Sequence, residues 1–168
     1  VNKTMSLFSD GLLIDGIYGP EAVKFIGSII PPFGITLSYF LTKNKYTKAE
    51  KEALKAAFPM GICMITEGVI PIAARDLVRV VGSCVLASAV AGGLAMMWGV
   101  GSPVPHGGMF VVPLFEKPLL FCLALLIGTV ICGVVLSAWK KPVTQEDEKF
   151  EETDNESIAA EDISFTIE

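Results

Sequence analysis

The sequence predicts an all-α integral membrane protein, with about three transmembrane helices and re-entrant hairpin or loop segments between them. Three observations carry that expectation. Residues 119–139 form a run of 21 positions without a formal charge, which as a helix rising about 1.5 Å per residue reaches roughly 31 Å and spans the hydrocarbon core. The chain is 52% hydrophobic, and its mean hydropathy is +0.58. Glu67 stands alone as a carboxylate in the apolar run 58–71, which is punctuated by Pro59, Gly61, Gly68 and Pro71. A charge at bilayer depth costs on the order of 2.5 to 3.5 kcal/mol, so it persists where it faces a cavity, a partner or a ligand.

The elements follow in order. A first span covers residues 25–42, with Pro31 and Pro32 expected to kink or break it by removing N–H donors. Next comes a segment carrying Lys43, Lys45, Lys48, Lys51 and Lys55 against Glu50 and Glu52. The prolines and glycines around Glu67 argue against one straight helix, and non-helical backbone at membrane depth must be buried in protein or line a water-filled cavity. Residues 56–74 therefore read as a re-entrant hairpin. Residues 80–98 form the second span. The interval 103–113, with Pro103, Pro105, Gly107, Gly108 and Pro113, reads as an irregular apolar segment that dips into the membrane. The third span, 119–139, closes with Trp139, Lys140 and Lys141, an aromatic and cationic interfacial anchor.

Charge orients these spans. The lysine-rich segment after residue 42 and the pair Lys140-Lys141 both belong in the cytoplasm by the positive-inside rule. Two full crossings then begin and end on one side only if the Glu67 region enters and returns without crossing. That arrangement also puts Arg75 and Arg79 on the cytoplasmic side.

Residues 1–142 form the membrane domain, with 12 basic and 8 acidic side chains. Residues 143–168 are different, with ten carboxylates against Lys149 alone. So polar a segment cannot bury enough apolar area to order its backbone, and a disordered acidic cytoplasmic tail is expected. Docking to a basic partner is the alternative, with no sequence pattern to favour it.

Several functions are disfavoured. Cys63, Cys84, Cys122 and Cys132 form no C-x-x-C pair, so they read as small apolar fillers rather than metal or redox ligands. No phosphate-binding loop, no nucleophile triad around the single histidine and no basic stripe with interleaved aromatics is present. No cofactor, metal or nucleic acid is expected.

Asp76 precedes an apolar helical run and suits a helix N-cap, with Arg79 three residues on as a partner. Ser83, Ala87, Ala91 and Ala95 recur every four residues, giving the second span a small-residue face for close packing. His106, in Pro105-His-Gly-Gly108, is either a structural tether or a ligand to a polar group.

These segments together resemble the membrane-embedded IIC component of bacterial phosphotransferase-system (PTS) permeases of the fructose type. The resemblance runs from the start of the chain to about residue 141. It rests on Ile17-Tyr-Gly-Pro20, Ile30-Pro-Pro-Phe-Gly34, Lys43-Asn-Lys-Tyr-Thr-Lys48, Ile65-Thr-Glu-Gly-Val-Ile-Pro71, Asp76 with Arg79, Ala89-Val-Ala-Gly-Gly93 and Pro105-His-Gly-Gly-Met-Phe-Val111. It implies the C-terminal half of such a domain, so the chain is expected to be a fragment or split subunit that works with a missing N-terminal half.

The resemblance further implies a component that binds a hexose, fructose or a related sugar, and presents it to the cytoplasm. There a separate IIB domain, itself charged by IIA, phosphorylates it. Glu67 is then the sugar-hydroxyl acceptor, flanked by Thr66 and Gly68, and His106 with Gly107 and Gly108 completes the substrate site. A carboxylate that only braces the hairpin remains the alternative for Glu67. The phosphoryl-donor residues lie on other chains, so no catalytic residue is assigned here. The location implied is the bacterial cytoplasmic membrane, multi-pass, and a homodimer is possible. An ion-coupled secondary transporter and an inactive accessory fragment are the rival readings. One departure from the family stands beside the hairpin, where Arg75-Asp76-Leu77-Val78-Arg79 replaces the usual Asp-Pro-Leu-Arg pattern.

Overall fold

The computed structural model describes residues 11–12 and 14–140. The acidic tail lies outside them, as do residues 1–10. Among the described residues from Gly19 onward, the α-helices are α1 (Gly19–Leu41), α2 (Lys48–Ile62), α3 (Ile70–Arg75), α4 (Leu77–Met97) and α5 (Pro118–Trp139). Short 3₁₀ turns occupy Lys43–Lys45, Glu67–Val69 and Gly108–Leu114, and the described residues contain no strand. Helices α1, α4 and α5 are each long and apolar enough to cross a membrane.

The three long helices pack as a bundle around Phe25, Ile26, Ile29, Ile30, Ala87, Ala91, Phe121 and Ala124, all fully buried. Small residues set their spacing. A methyl group on Gly128 of α5 would collide with Ile30 and Ala91, and one on Gly133 would stand 2.9 Å from Leu37. Such close backbone approach is how membrane helices gain dispersion contacts that lipid does not already supply. Ser83, Ala87, Ala91 and Ala95 of α4 are all fully buried inside the chain's own bundle. That stripe is therefore spent on α1 and α5.

Two expectations need correction. Helix α1 begins at Gly19, not residue 25, and runs unbroken through Pro31 and Pro32. Pro31 and Pro32 have no N–H to give the Gly27 and Ser28 carbonyls one turn back, and Thr36 Oγ1 separately donates to the Pro32 carbonyl at 2.6 Å. The lysine segment is helical from Lys48. It enters α2 at Thr47, whose hydroxyl accepts from the Glu50 N–H while the Glu50 carboxylate accepts from the Thr47 N–H, a complete capping box. Asp76 does occupy the N-cap position of α4, yet its side chain makes no capping bond. It accepts instead from Arg79 Nη1 at 2.8 Å, and the ion pair wins over the cap.

At one end of the bundle a polar cluster ties the short helices to the long ones. Arg75 Nη1 donates to Thr47 Oγ1 at 2.8 Å, joining the end of α3 to the start of α2. Lys140 Nζ, just past α5, lies 2.7 Å from Glu50 Oε1 and 3.8 Å above the Tyr46 ring. Lys140 is 6% and Glu50 4% exposed. Burial pushes the Lys140 ammonium below its ordinary pKa, and Glu50 opposes that shift. Burial likewise pushes the Tyr46 phenol well above its ordinary value. Lys45 Nζ donates to the Ser137 carbonyl at 2.7 Å, and Ser137 Oγ donates to Thr42 Oγ1 at 3.1 Å. Residues 48–75 thus leave and return at the same end, beside the C-termini of α1 and α5.

Removing one member of a buried pair strands the other charge, a loss of about 3 to 5 kcal/mol. Lys140→Met is therefore expected to lower the unfolding free energy in detergent by roughly that amount. Replacing both partners, Lys140→Met with Glu50→Gln, should recover a large part of it, as read from denaturant midpoints of the two variants.

Candidate functional site

The hairpin tip is built by a helix stop. Helix α2 ends in a Schellman motif, with the Ile65 N–H donating to the Met60 carbonyl at 2.9 Å and the Met64 N–H to the Gly61 carbonyl at 3.1 Å. The position that glycine ordinarily fills is held by Met64 at φ 65°, the one non-glycine residue with positive φ among those described. Helix α4 ends in the same motif with Gly99 at φ 62°. The side chain of Met64 packs on the bundle core, which compensates for the left-handed backbone.

After that stop the chain turns through Thr66 into the 3₁₀ turn Glu67–Val69 and directly into α3, started by Pro71 near its N-terminus. Gly68 is pressed onto α2, where an added methyl would lie 2.9 Å from Ala57 Cα. Val69, Ile72, Leu54 and Ala57 seal the hairpin internally and against Ile35 and Val80. This packing turns Glu67 outward. Its side chain is exposed and makes no hydrogen bond or ion pair with any described residue. The bonds a hairpin brace would need are therefore absent among those residues.

The His106 segment arrives from the other end of the bundle. Residues 98–117 are anchored there by the Ser102 N–H on the Tyr18 carbonyl at 3.0 Å, the Glu116 N–H on the Gly101 carbonyl at 3.2 Å and Lys117 Nζ on the Trp98 carbonyl at 2.7 Å. Phe115 stacks edge-on against Phe25 at 5.2 Å and Phe121 at 4.7 Å. From those anchors the loop reaches back until Gly108, at φ 62°, abuts the Ile62 carbonyl and Cys63. His106 and Gly107 are exposed and Gly108 is buried.

The Thr66-Glu67-Gly68 turn and the Pro105-His-Gly-Gly loop thus enter from opposite ends and both rest on the last turns of α2, residues 57–63. The turn meets Ala57 and Met60, and the loop meets Ile62 and Cys63. A groove of about 660 Å³ runs between α1, the hairpin and α4, with Thr66 in its wall beside Ser28 and Ser88. Glu67 and His106 do not line it.

Sequence reasoning missed an ion pair on that groove. Glu21, fully buried in α1, is held by Lys24 Nζ at 2.9 Å from Oε1 and 2.7 Å from Oε2, and Lys24 lines the groove. The signal was present as a Glu and a Lys at i and i+3 in an apolar run. Starting the first span at residue 25 hid it. Among the described residues no three of His, Cys, Asp and Glu gather in a metal-binding cluster.

A bundle of three helices, each long and apolar enough to cross a membrane, with a carboxylate on a returning hairpin, has the build of an integral membrane protein. Comparison with known proteins narrows this. The chain is 42% identical over 140 residues to the "PTS system fructose-specific EIIC component" of Haloferax volcanii, covering 83% of this chain and 37% of that protein. It is 40% identical over 146 residues to the "Fructose permease IIC component" of Bacillus amyloliquefaciens, covering 87% of this chain and 48% of that protein. It is 37% identical over 145 residues to the "PTS system fructose-specific EIIB'BC component" of Escherichia coli, covering 84% and 26%. No family model and no solved structure matches. Over the matched residues the chain belongs to the fructose-type IIC components of the phosphotransferase system. It spans less than half the length of these relatives.

The packing of the two motifs yields a steric prediction. Gly108→Ala places a methyl against the Ile62 carbonyl at a left-handed φ, strain of order 1 to 3 kcal/mol, and should lower the melting temperature measurably. Gly93→Ala meets open space and should be neutral or slightly stabilising in the same thermal assay, because alanine favours a helix interior.

Proposed function

We propose that this chain supplies part of the sugar-binding and translocating pathway of a phosphoenolpyruvate-dependent phosphotransferase, and that its substrate is a hexose of the fructose type. The observation that carries the proposal is Glu67: a carboxylate at the tip of an apolar hairpin, without a partner among the described residues, on a turn that rests on the same helix end as the loop of the single histidine. Two carboxylate oxygens accept from vicinal hydroxyls, each charge-assisted bond worth about 1.5 to 3 kcal/mol. Thr66 offers a hydroxyl, and Gly68 keeps the backbone close to α2. His106 donates from one ring nitrogen and accepts at the other, and Gly107 and Gly108 shape its loop.

In this reading the lysine-rich end faces the cytoplasm, together with the tail, and the hairpin enters the membrane from that side. The membrane is the cytoplasmic membrane of the cell. The phosphoryl donor is the phosphocysteine of a IIB domain, itself supplied by IIA. The sugar oxygen bonds to phosphorus as the S–P bond breaks, and Glu67 takes the hydroxyl proton. Names such as "EIIABC component", carried by the Bacillus subtilis relative, support that partnership. Further IIC sequence completes the site, since the matched residues make up less than half of each of these relatives. Any homodimer contact lies off the small-residue stripe of α4.

The ion-coupled reading is tested directly. Uptake by membranes with the complete IIC should follow phosphoenolpyruvate and deliver phosphorylated sugar. Delivery of free sugar that collapses with an ionophore would overturn the proposal.

Glu67→Gln, in a complete IIC, should weaken sugar binding at least about 10-fold, equivalent to about 1.4 kcal/mol, with membrane insertion unchanged. Equilibrium binding to the purified variant decides it, and wild-type affinity would remove Glu67 from the site.

A further inference from the structure

The base of α2 carries a second feature that the sugar site does not use. Lys43, Lys48 and Lys55 are exposed and Lys51 is half-buried, and none of the four has a described partner. On a helix, positions 48, 51 and 55 share one face. Glu52 is the only exposed acidic side chain on α2, so the face stays net positive. Lys51 and Lys55 also rim a groove of about 340 Å³ whose remaining walls are Thr36, Tyr39, Phe40, Leu54, Phe58 and Pro59. It offers cationic edges around an apolar floor.

The complementary chemistry lies in the same chain. Residues 143–168 carry ten carboxylates against one lysine, with Phe150, Ile158, Ile163, Phe165 and Ile167 set among them. Position completes the match. The described chain ends at Lys140, whose ammonium is 2.7 Å from Glu50 on the first turn of α2. Lys55 is only five residues further along that helix, about 8 Å, whereas each tail residue adds about 3.3 Å of reach. A tethered segment this near presents an effective concentration in the millimolar range, so exposed ion pairs that are individually weak suffice together.

We propose that the acidic segment 143–168 docks on the lysine face of α2, its carboxylates on Lys48, Lys51 and Lys55 and its apolar side chains in the adjoining groove. The tail then screens the base of the hairpin. Its docking is electrostatic in origin and weakens as salt shortens the screening length to about 3 Å at 1 M.

The test compares the full chain with a chain ending at Pro142, both in bilayer discs of phosphatidylcholine. Acylation of each lysine by an amine-reactive ester is read by mass spectrometry. Lys51 and Lys55 should label at least about threefold more slowly in the full chain, the gap closing near 1 M salt. Lys117, at the other end of the bundle, should label equally in both. Equal rates for Lys51 and Lys55 at low salt would overturn the proposal. Protection that appears only with anionic lipid and survives truncation would assign the face to the membrane surface and overturn it too. A second readout uses the folded full chain with Lys51→Gln and Lys55→Gln. Trypsin should then cut after Lys149 faster than in the parent, and an unchanged rate would count against docking.

Discussion

The buried Glu50 carboxylate is the constraint on which the remaining geometry hangs. One oxygen takes the Thr47 N–H and starts α2, and the other takes the Lys140 ammonium at 2.7 Å. Removing two such charges from water costs several kcal/mol per ion, so the cluster holds only if nearly every donor and acceptor is matched. It is matched here. The Tyr46 ring lies under Lys140, and Arg75 reaches Thr47 from the far strand of the hairpin. A single carboxylate therefore fixes where the hairpin starts, where it returns and how it sits against the end of α5.

From that base the hairpin is rigid as far as its tip and strained at it. Leu54, Ala57, Val69 and Ile72 fill the space between its arms and the bundle. At the turn Met64 takes a backbone conformation that costs an ordinary L-residue roughly 1 kcal/mol or more. Strain of this kind persists where surrounding packing over-determines it. Its location one turn before Glu67 means that the carboxylate's direction is set by packing rather than by side-chain hydrogen bonds, which leaves both oxygens available to a ligand.

Much of this was legible in the sequence for simple reasons. The runs 80–98 and 119–139 lack charges, and α4 and α5 coincide closely with them because hydrocarbon admits little else. The hairpin was legible through Pro59, Gly61, Gly68 and Pro71. Other features carried no local signal. The continuity of α1 through Pro31 and Pro32 rests on tertiary packing, including Pro32 against the space beside Gly61. Met64 in a glycine position, and Asp76 choosing Arg79 over its cap, follow from neighbours that a one-dimensional reading does not place. Glu21 and Lys24 could have been found as an i, i+3 pair but fell outside the assigned span.

The meeting of the two motifs is the less expected property of the fold. The Glu67 turn hangs from a polar cluster at one end of the bundle, and the Pro105-His-Gly-Gly loop hangs from Tyr18, Trp98 and Gly101 at the other. They touch the same short stretch of α2 and otherwise have separate supports. Gly108 leaves no room for a side chain against the Ile62 carbonyl, so the loop and the hairpin tip cannot shift independently at that contact. A ligand bound between them would be held from both membrane faces at once, and any motion that frees it toward one face must move the hairpin on its Glu50 base or the loop on its aromatic anchors.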